Sequence, residues 1–146
     1  MSGPRTVLAF DFGLKRIGIA CGDTLTRHGA ARAAAAVHRG VPDWQAIARE
    51  VRALAPAILV VGAPYNVDGS EGALLAAARR FAAELERRFA LPVQLVDERF
   101  SSLEASEALK RRRASGARGR IERAAIDSAA AAVILGRWFQ GEGEGT

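Results

Sequence analysis

The sequence is poor in the residues that staple, anchor or stack. It has one cysteine, one methionine and one tyrosine, and aromatic residues make up 6% of 146 positions. A lone thiol, Cys21, permits no intramolecular disulfide. This excludes a small stapled secreted scaffold, suits a reducing cytoplasm, and leaves Cys21 a packing role. No apolar run approaches the roughly 20 residues that span a bilayer, and the opening "MSGPR" lacks the apolar region of a secretory signal. A soluble, cytoplasmic protein with no membrane partner is expected. Trp44, Trp138 and most phenylalanines fall at apolar-face spacing, so no platform for stacking bases is visible. Acids are also in deficit: 16 against 21 Lys and Arg, a net charge of +5.

What is present describes one globular domain covering residues 1–146. The composition is 49% hydrophobic and 25% charged, and the length suffices to bury a core without metal or disulfides. The positive charge is concentrated. "KRRRASGARGR", residues 110–120, carries Lys110, Arg111, Arg112, Arg113, Arg118 and Arg120 without an acid. Its Ser and Gly residues oppose a continuous helix, so a flexible basic loop is expected, facing an anionic partner such as nucleic acid. A solvated helix end with an arginine-rich linker is the plainer alternative.

Apolar patterning orders the elements. "RTVLAFDF" and "RIGIACGD" flank the glycine turn "GLK", which predicts a β-hairpin. "ARAAAAVHR", residues 31–39, has alanines that favour helix, but its place between a turn and "GVPD" suits a third strand. Asp43 is a good N-cap for a helix with Trp44, Ile47, Ala48, Val51 and Leu54 on one face, stopped by Pro56. "AILVVGAP", residues 57–64, reads as a buried strand. The loop "GAPYNVDGSEG" leads to a second helix with Leu74, Leu75, Ala78, Phe81, Ala82, Leu85 and Phe89 along one face. "VQLVDE" after Pro92 reads as another strand. Ser101 and Glu104 have capping-box spacing for a third helix. A last helix is expected from about Glu122 to Phe139, then a frayed tail over residues 140–146, outside an ordered core of about residues 5–139. The fold class is α/β: a central mixed five-stranded sheet, its first three strands antiparallel, flanked by helices.

The acids raise the functional question. Asp11 directly follows four apolar residues in a predicted buried strand, where an ionised carboxylate needs a cation or a metal. Asp97 and Glu98 end the last strand, and Asp127 shares a helix stripe with Ala130, Ala131, Ile134 and Trp138. A carboxylate serving the helix dipole would sit in the first turn; Asp127 is in about the second, on an apolar stripe, which favours a site role. Asp97 suits a surface pair with Arg99. Glu98 is the better ligand, although alternation alone leaves open which of the two faces Asp11 shares. Converging carboxylates could hold Mg²⁺ or Mn²⁺, hard ions that prefer oxygen ligands and phosphate substrates. Two such ions about 3.5–4 Å apart could activate a water and stabilise the leaving oxygen.

"DFGLKRIGIACGD", "GAPYNVDGSEG", "VDERFSSLEA" and "IDSAAAAVIL" occur in the order and spacing of the YqgF family, also called RuvX, of ribonuclease H-like nucleases. The resemblance spans about residues 6–139. It implies a ribonuclease H-like fold and a nuclease, usually assigned to maturing the 5′ end of 16S ribosomal RNA, with an older assignment to Holliday junctions. Carried over residue by residue, it makes Asp11, Glu98 and Asp127 the catalytic, metal-binding acids. Lys15, Arg16 and Arg99 resemble phosphate contacts, and Gly13 and Gly18 let the backbone turn beside the site. Asn66, Asp68 and Gly69 are similar to a surface lining the substrate groove, although Asp68-Gly69 also suits an ordinary turn. Arg111, Arg112 and Arg113 are expected on the substrate backbone. Two Mg²⁺ or Mn²⁺ ions per site are the implied cofactor; RNA, DNA and the small ribosomal subunit precursor are the implied partners, with the chain a monomer or homodimer. "AARAAAAV" departs from the family in lacking the proline many relatives carry near the third strand.

Two other classes compete. The D-x-G element also opens the phosphate loop of actin-like ATPases and sugar kinases, but those close a cleft between two related domains and one domain is present here. A non-catalytic RNA- or ribosome-binding module would use the basic loop, yet leaves three core-facing acids without purpose.

Overall fold

Two short apolar runs on either side of a glycine turn build the predicted hairpin. In a computed structural model, which describes residues 5–63, 72–97 and 120–144, β1 (Thr6–Asp11) and β2 (Arg16–Asp23) pair antiparallel from Thr6↔Asp23 to Asp11↔Gly18. The turn between them requires Gly13: a Cβ there would lie 2.6 Å from the Arg16 carbonyl oxygen. Asp23 closes the next turn by accepting hydrogen bonds from Leu25 N (2.9 Å) and Thr26 N (2.8 Å). These bonds, the one from Thr26 foremost, hold its carboxyl below the usual range.

β3 (Ala30–His38) then pairs antiparallel with β2, as expected, with the register shifting between Ile17 and Ile19. Alanine favours helix, but here Ala35 and Val37 turn into the core while the alanines at 30, 31 and 33 stay exposed. Packing against β2 overrides local propensity. The five-strand expectation is corrected at this edge. Arg39 (φ 52°) and Gly40 (φ 78°) are both left-handed, the signature of a type I′ turn. They return the chain into a two-residue strand, β4 (Val41–Pro42), paired with Val37 and His38.

α1 (Trp44–Leu54) starts where Asp43 Oδ1 accepts from Ala46 N (3.1 Å) and ends at left-handed Ala55, whose N–H donates to Val51 O (2.9 Å). β5 (Ile58–Ala63), α2 (Ala73–Phe89), β6 (Val93–Asp97) and α3 (Arg120–Glu144) follow. The sheet order is β4-β3-β2-β1-β5-β6, with β5 parallel to β1 and β6 parallel to β5. The helix predicted at Ser101 and the basic loop up to residue 119 lie outside the described residues. α3 is longer than expected, extending to Glu144 through part of the stretch read as a frayed tail. Trp138 and Phe139 are buried, and the Arg27 guanidinium donates to the Phe139 carbonyl, which fixes the turns from which the helix continues.

The sheet is covered on both faces. Leu8, Phe10, Phe12, Ile17, Ile19, Leu59 and Val61 pack with Ile47 and Val51 of α1 and Phe81 and Leu85 of α2. Val7, Ala9, Ala20, Ile58 and Val60 pack with Ala131, Ile134, Leu135, Trp138 and Phe139 of α3. Each fully buried aliphatic side chain contributes about 1.5–3 kcal/mol. Polar ties set the helix positions: Arg32 binds Glu50 at 2.8 and 3.2 Å, joining β3 to α1, and Trp138 Nε1 donates to Gln94 Oε1 at 2.8 Å, joining α3 to β6.

Candidate active site

β1, β5 and β6 run parallel, so their carboxyl ends gather at one edge of the sheet, where open α/β sheets place their ligands. Phe10 is opposite Val61, Gly62 opposite Val96, and Ala63 opposite Asp97. Asp11 therefore lies one rung beyond Phe10, level with Gly62 and Val96. It is partly buried and has an interaction partner. The parity of β1 assigns it to the α3 side, because Val7 and Ala9 pack there while Leu8, Phe10 and Phe12 pack under α1 and α2.

The same parity settles β6. Gln94 bonds Trp138 of α3 and Val96 packs into the α3 cluster, whereas Val93 packs on the other face. Even-numbered positions of β6 thus share the Asp11 side. Glu98 has that parity and lies outside the described residues.

α3 brings the third acid position to this edge. Asp127 is three, four and seven residues before Ala130, Ala131 and Ile134, all fully buried, so the helical period sets it on the stripe that faces the sheet. Its neighbour Ser128 is 3% exposed, and Ser128 Oγ accepts a hydrogen bond from Ile19 N at 3.5 Å. Ile19 is opposite Phe10, one rung from the Asp11↔Gly18 pair. The turn carrying Asp127 therefore lies over the Asp11 end of the hairpin. The Asp127 side chain is outside the described residues, and among the described residues no three His, Cys, Asp or Glu side chains cluster.

Of the predicted phosphate contacts, Lys15 is exposed in the β1–β2 turn and Arg16 is partly buried at the start of β2; Arg16 too is engaged. Lys15 O accepts from Val37 N (2.9 Å), which binds this turn to β3. Asn66, Asp68, Gly69, Arg99, Arg111, Arg112 and Arg113 lie outside the described residues. An apolar groove of about 400 Å³ opens at the same end, lined by Phe12, Leu14, Val41, Trp44 and Phe81 among others. It lies under α1 and α2, on the sheet face opposite the Asp11 parity, and the Trp44 ring is already engaged there, stacked with Phe81 at 5.5 Å and carrying the Arg88 guanidinium at 4.3 Å. Ser128 is the residue sequence reasoning passed over. Its signal is a hydroxyl between Asp127 and a run of four alanines.

An antiparallel three-strand unit continued by parallel strands, an acid ending the first strand, and a last helix laid over that end define the ribonuclease H-like class. Two solved structures share the fold: Thermus thermophilus RuvC in complex with a Holliday junction substrate (TM-score 0.55, 14% identity, 96% of each chain) and the yeast mitochondrial Holliday junction resolvase Ydc2 (TM-score 0.52, 9% identity, 94% of this chain and 79% of that one). Residues 5–141 match the family described as "RuvX: Holliday junction resolvase". Relatives named "Putative pre-16S rRNA nuclease" include those of Edwardsiella ictaluri, 43% identical over 95% of this chain and 97% of that protein, and Xanthomonas campestris, 44% identical over 97% and 91%. The chain belongs to the RuvX family and is a nuclease, a hydrolase of phosphodiester bonds. No helix among the described residues is long and apolar enough to cross a membrane.

Proposed function

We propose that this chain is a divalent-metal-dependent nuclease that acts in maturing the 5′ end of 16S ribosomal RNA, with Asp11, Glu98 and Asp127 as its catalytic acids. The observation that carries the reading is the bond from Ile19 N to Ser128 Oγ, which seats the Asp127 turn beside the Asp11 rung. The parity of β6 adds support for Glu98. The donor set fits Mg²⁺ or Mn²⁺: carboxylate oxygens only, approached from the end of a sheet. When bound, the ions supply Lewis acidity and an activated water.

The chain's own residues do the rest. The three carboxylates hold the charge that faces the scissile phosphate. Lys15, Arg16 and Arg99 bind its flanking oxygens, while Arg111, Arg112 and Arg113 track the backbone and Asn66, Asp68 and Gly69 line the groove. The names of the relatives support ribosomal RNA precursors as the substrate. The family description supports a second substrate, the four-way DNA junction.

Cleavage of single-stranded RNA, single-stranded DNA and a four-way junction, each with Mg²⁺, Mn²⁺ or chelator, separates these readings. RNA cleavage lost in chelator is expected. Asp11→Asn should abolish it while leaving nucleic-acid binding intact, and thermal stability in chelator should hold or rise as repulsion among the acids is relieved. Undiminished cleavage by Asp11→Asn sinks the metal-site reading.

A further inference from the structure

We infer that Ser128 is a positioning residue for the acid beside it: its buried hydroxyl, through a long hydrogen bond of 3.5 Å, orients the α3 turn that carries Asp127 against the β2 rung next to Asp11. The inference rests on the reading of Asp127 as a metal ligand and goes beyond it, since it assigns the orientation of the ligand's turn to one hydrogen bond.

Ser128 serves neither the helix nor the core. Alanine is the better helix former, and residues 129–132 are all alanine, three of them lying against or within the α3 core cluster or fully buried. An alanine at 128 would pack as they do. A hydroxyl buried to 3% exposure is costly unless bonded, and Ser128 is the one buried polar residue among the described residues. Its partner is a strand amide 109 positions away in sequence. That amide lies at the register shift between Ile17 and Ile19, where the β2–β3 ladder is irregular. Removing the oxygen leaves a buried N–H without this acceptor. Two further polar ties of α3 lie far from this turn: Trp138 to Gln94 of β6, ten residues further along the helix, and the Phe139 carbonyl to Arg27, eleven residues further. Near the site, apolar packing sets the height of α3 above the sheet, and the Ser128 bond adds a directional tie that fixes the helix along β2. An acid held on a loosened turn loses metal affinity, as when the groups that orient a ligand are removed.

The full chain is compared as parent, Ser128→Ala and Ser128→Cys, the last keeping the side chain's shape with a larger, weakly accepting sulfur. Three measurements are made: exchange of the Ile19 amide in chelator, Mn²⁺ binding read from the free-ion resonance signal, and cleavage against Mn²⁺ concentration. For Ser128→Ala the Ile19 amide should exchange at least about tenfold faster and Mn²⁺ binding should weaken by about tenfold. Half-maximal cleavage should need correspondingly more Mn²⁺, with a rate at saturation much closer to the parent's and RNA binding in chelator unchanged. Ser128→Cys should shift each in the same direction by less, and carries the test if the alanine variant does not fold. Ile134→Val, a loss of packing on the same helix, should lower stability without moving Mn²⁺ binding. Parent-like Mn²⁺ binding by both Ser128 variants overturns the inference. Parent-like Mn²⁺ binding by Asp127→Asn would overturn instead the metal reading beneath it, and the role of Ser128 with it.

Discussion

Gly13→Ala tests how tightly the β1–β2 turn constrains the site. The added Cβ would sit 2.6 Å from the Arg16 carbonyl oxygen, and because that atom is backbone at the start of β2, no side-chain rotation relieves the overlap. The turn must open by much of an ångström. Forced overpacking costs about 1–3 kcal/mol; at the middle of that range, a chain of this size loses roughly 4–8 °C in Tm. The displaced segment joins Asp11 to Lys15 and Arg16, so cleavage measured well below Tm should also fall, by roughly 10- to 100-fold, as expected for misplaced reacting groups. Gly136→Ala is the matched control. It lies within α3, a Cβ there would meet nothing within 4 Å, and replacing a helical glycine should raise stability by about 0.5–1 kcal/mol. Calorimetry on both variants and a cleavage time course on the first give the answer. A Gly13→Ala protein with the parent's Tm and rate would refute the claim that this turn is sterically fixed.

Acid titration and charge removal supply two more expectations. The Asp23 and Glu84 carboxyls are held below their ordinary values, Asp23 by the Thr26 and Leu25 amides and Glu84 by Arg87 and Arg88. Their stabilising contribution is complete above the unfolded values of 3.8 and 4.5 and disappears as pH falls through the lower folded values; denaturant midpoints should drop over that window, and less so for Asp23→Asn. Changing Arg111, Arg112 and Arg113 together to Ala should weaken RNA and DNA binding alike and flatten the salt dependence by about 0.7 in log–log slope per lost contact on a single strand, with the rate at saturating substrate little changed. Binding isotherms at several salt concentrations decide it, and an unchanged slope would make the segment a solvated linker.

Most of the fold was legible because its signals were local and strong. The hairpin, the Asp43 cap and the stripe of α2 each follow from a few neighbouring residues and appear where patterning puts them. β3 was visible only through its flanks, since its alanines say helix and the decision belongs to β2. β4 was invisible: two residues carry no period, and Arg39-Gly40 is a weaker turn signal than Asn-Gly. The position of Asp11 could be read from its strand, but the face it shares with β6 depends on register, which comes from pairing between distant segments. Ser128 was hidden for a related reason, as its partner is 109 residues away and no spacing within α3 hints at it.

The docking of α3 onto the first two strands also orders events during synthesis. The hairpin with Asp11 leaves the ribosome early, whereas the helix that completes the edge follows more than a hundred residues later. At about 5–20 residues per second, that interval is roughly 5–20 s. Throughout it Val7, Ala9, Ala20, Ile58 and Val60 wait for their cover, a surface for chaperones to shield.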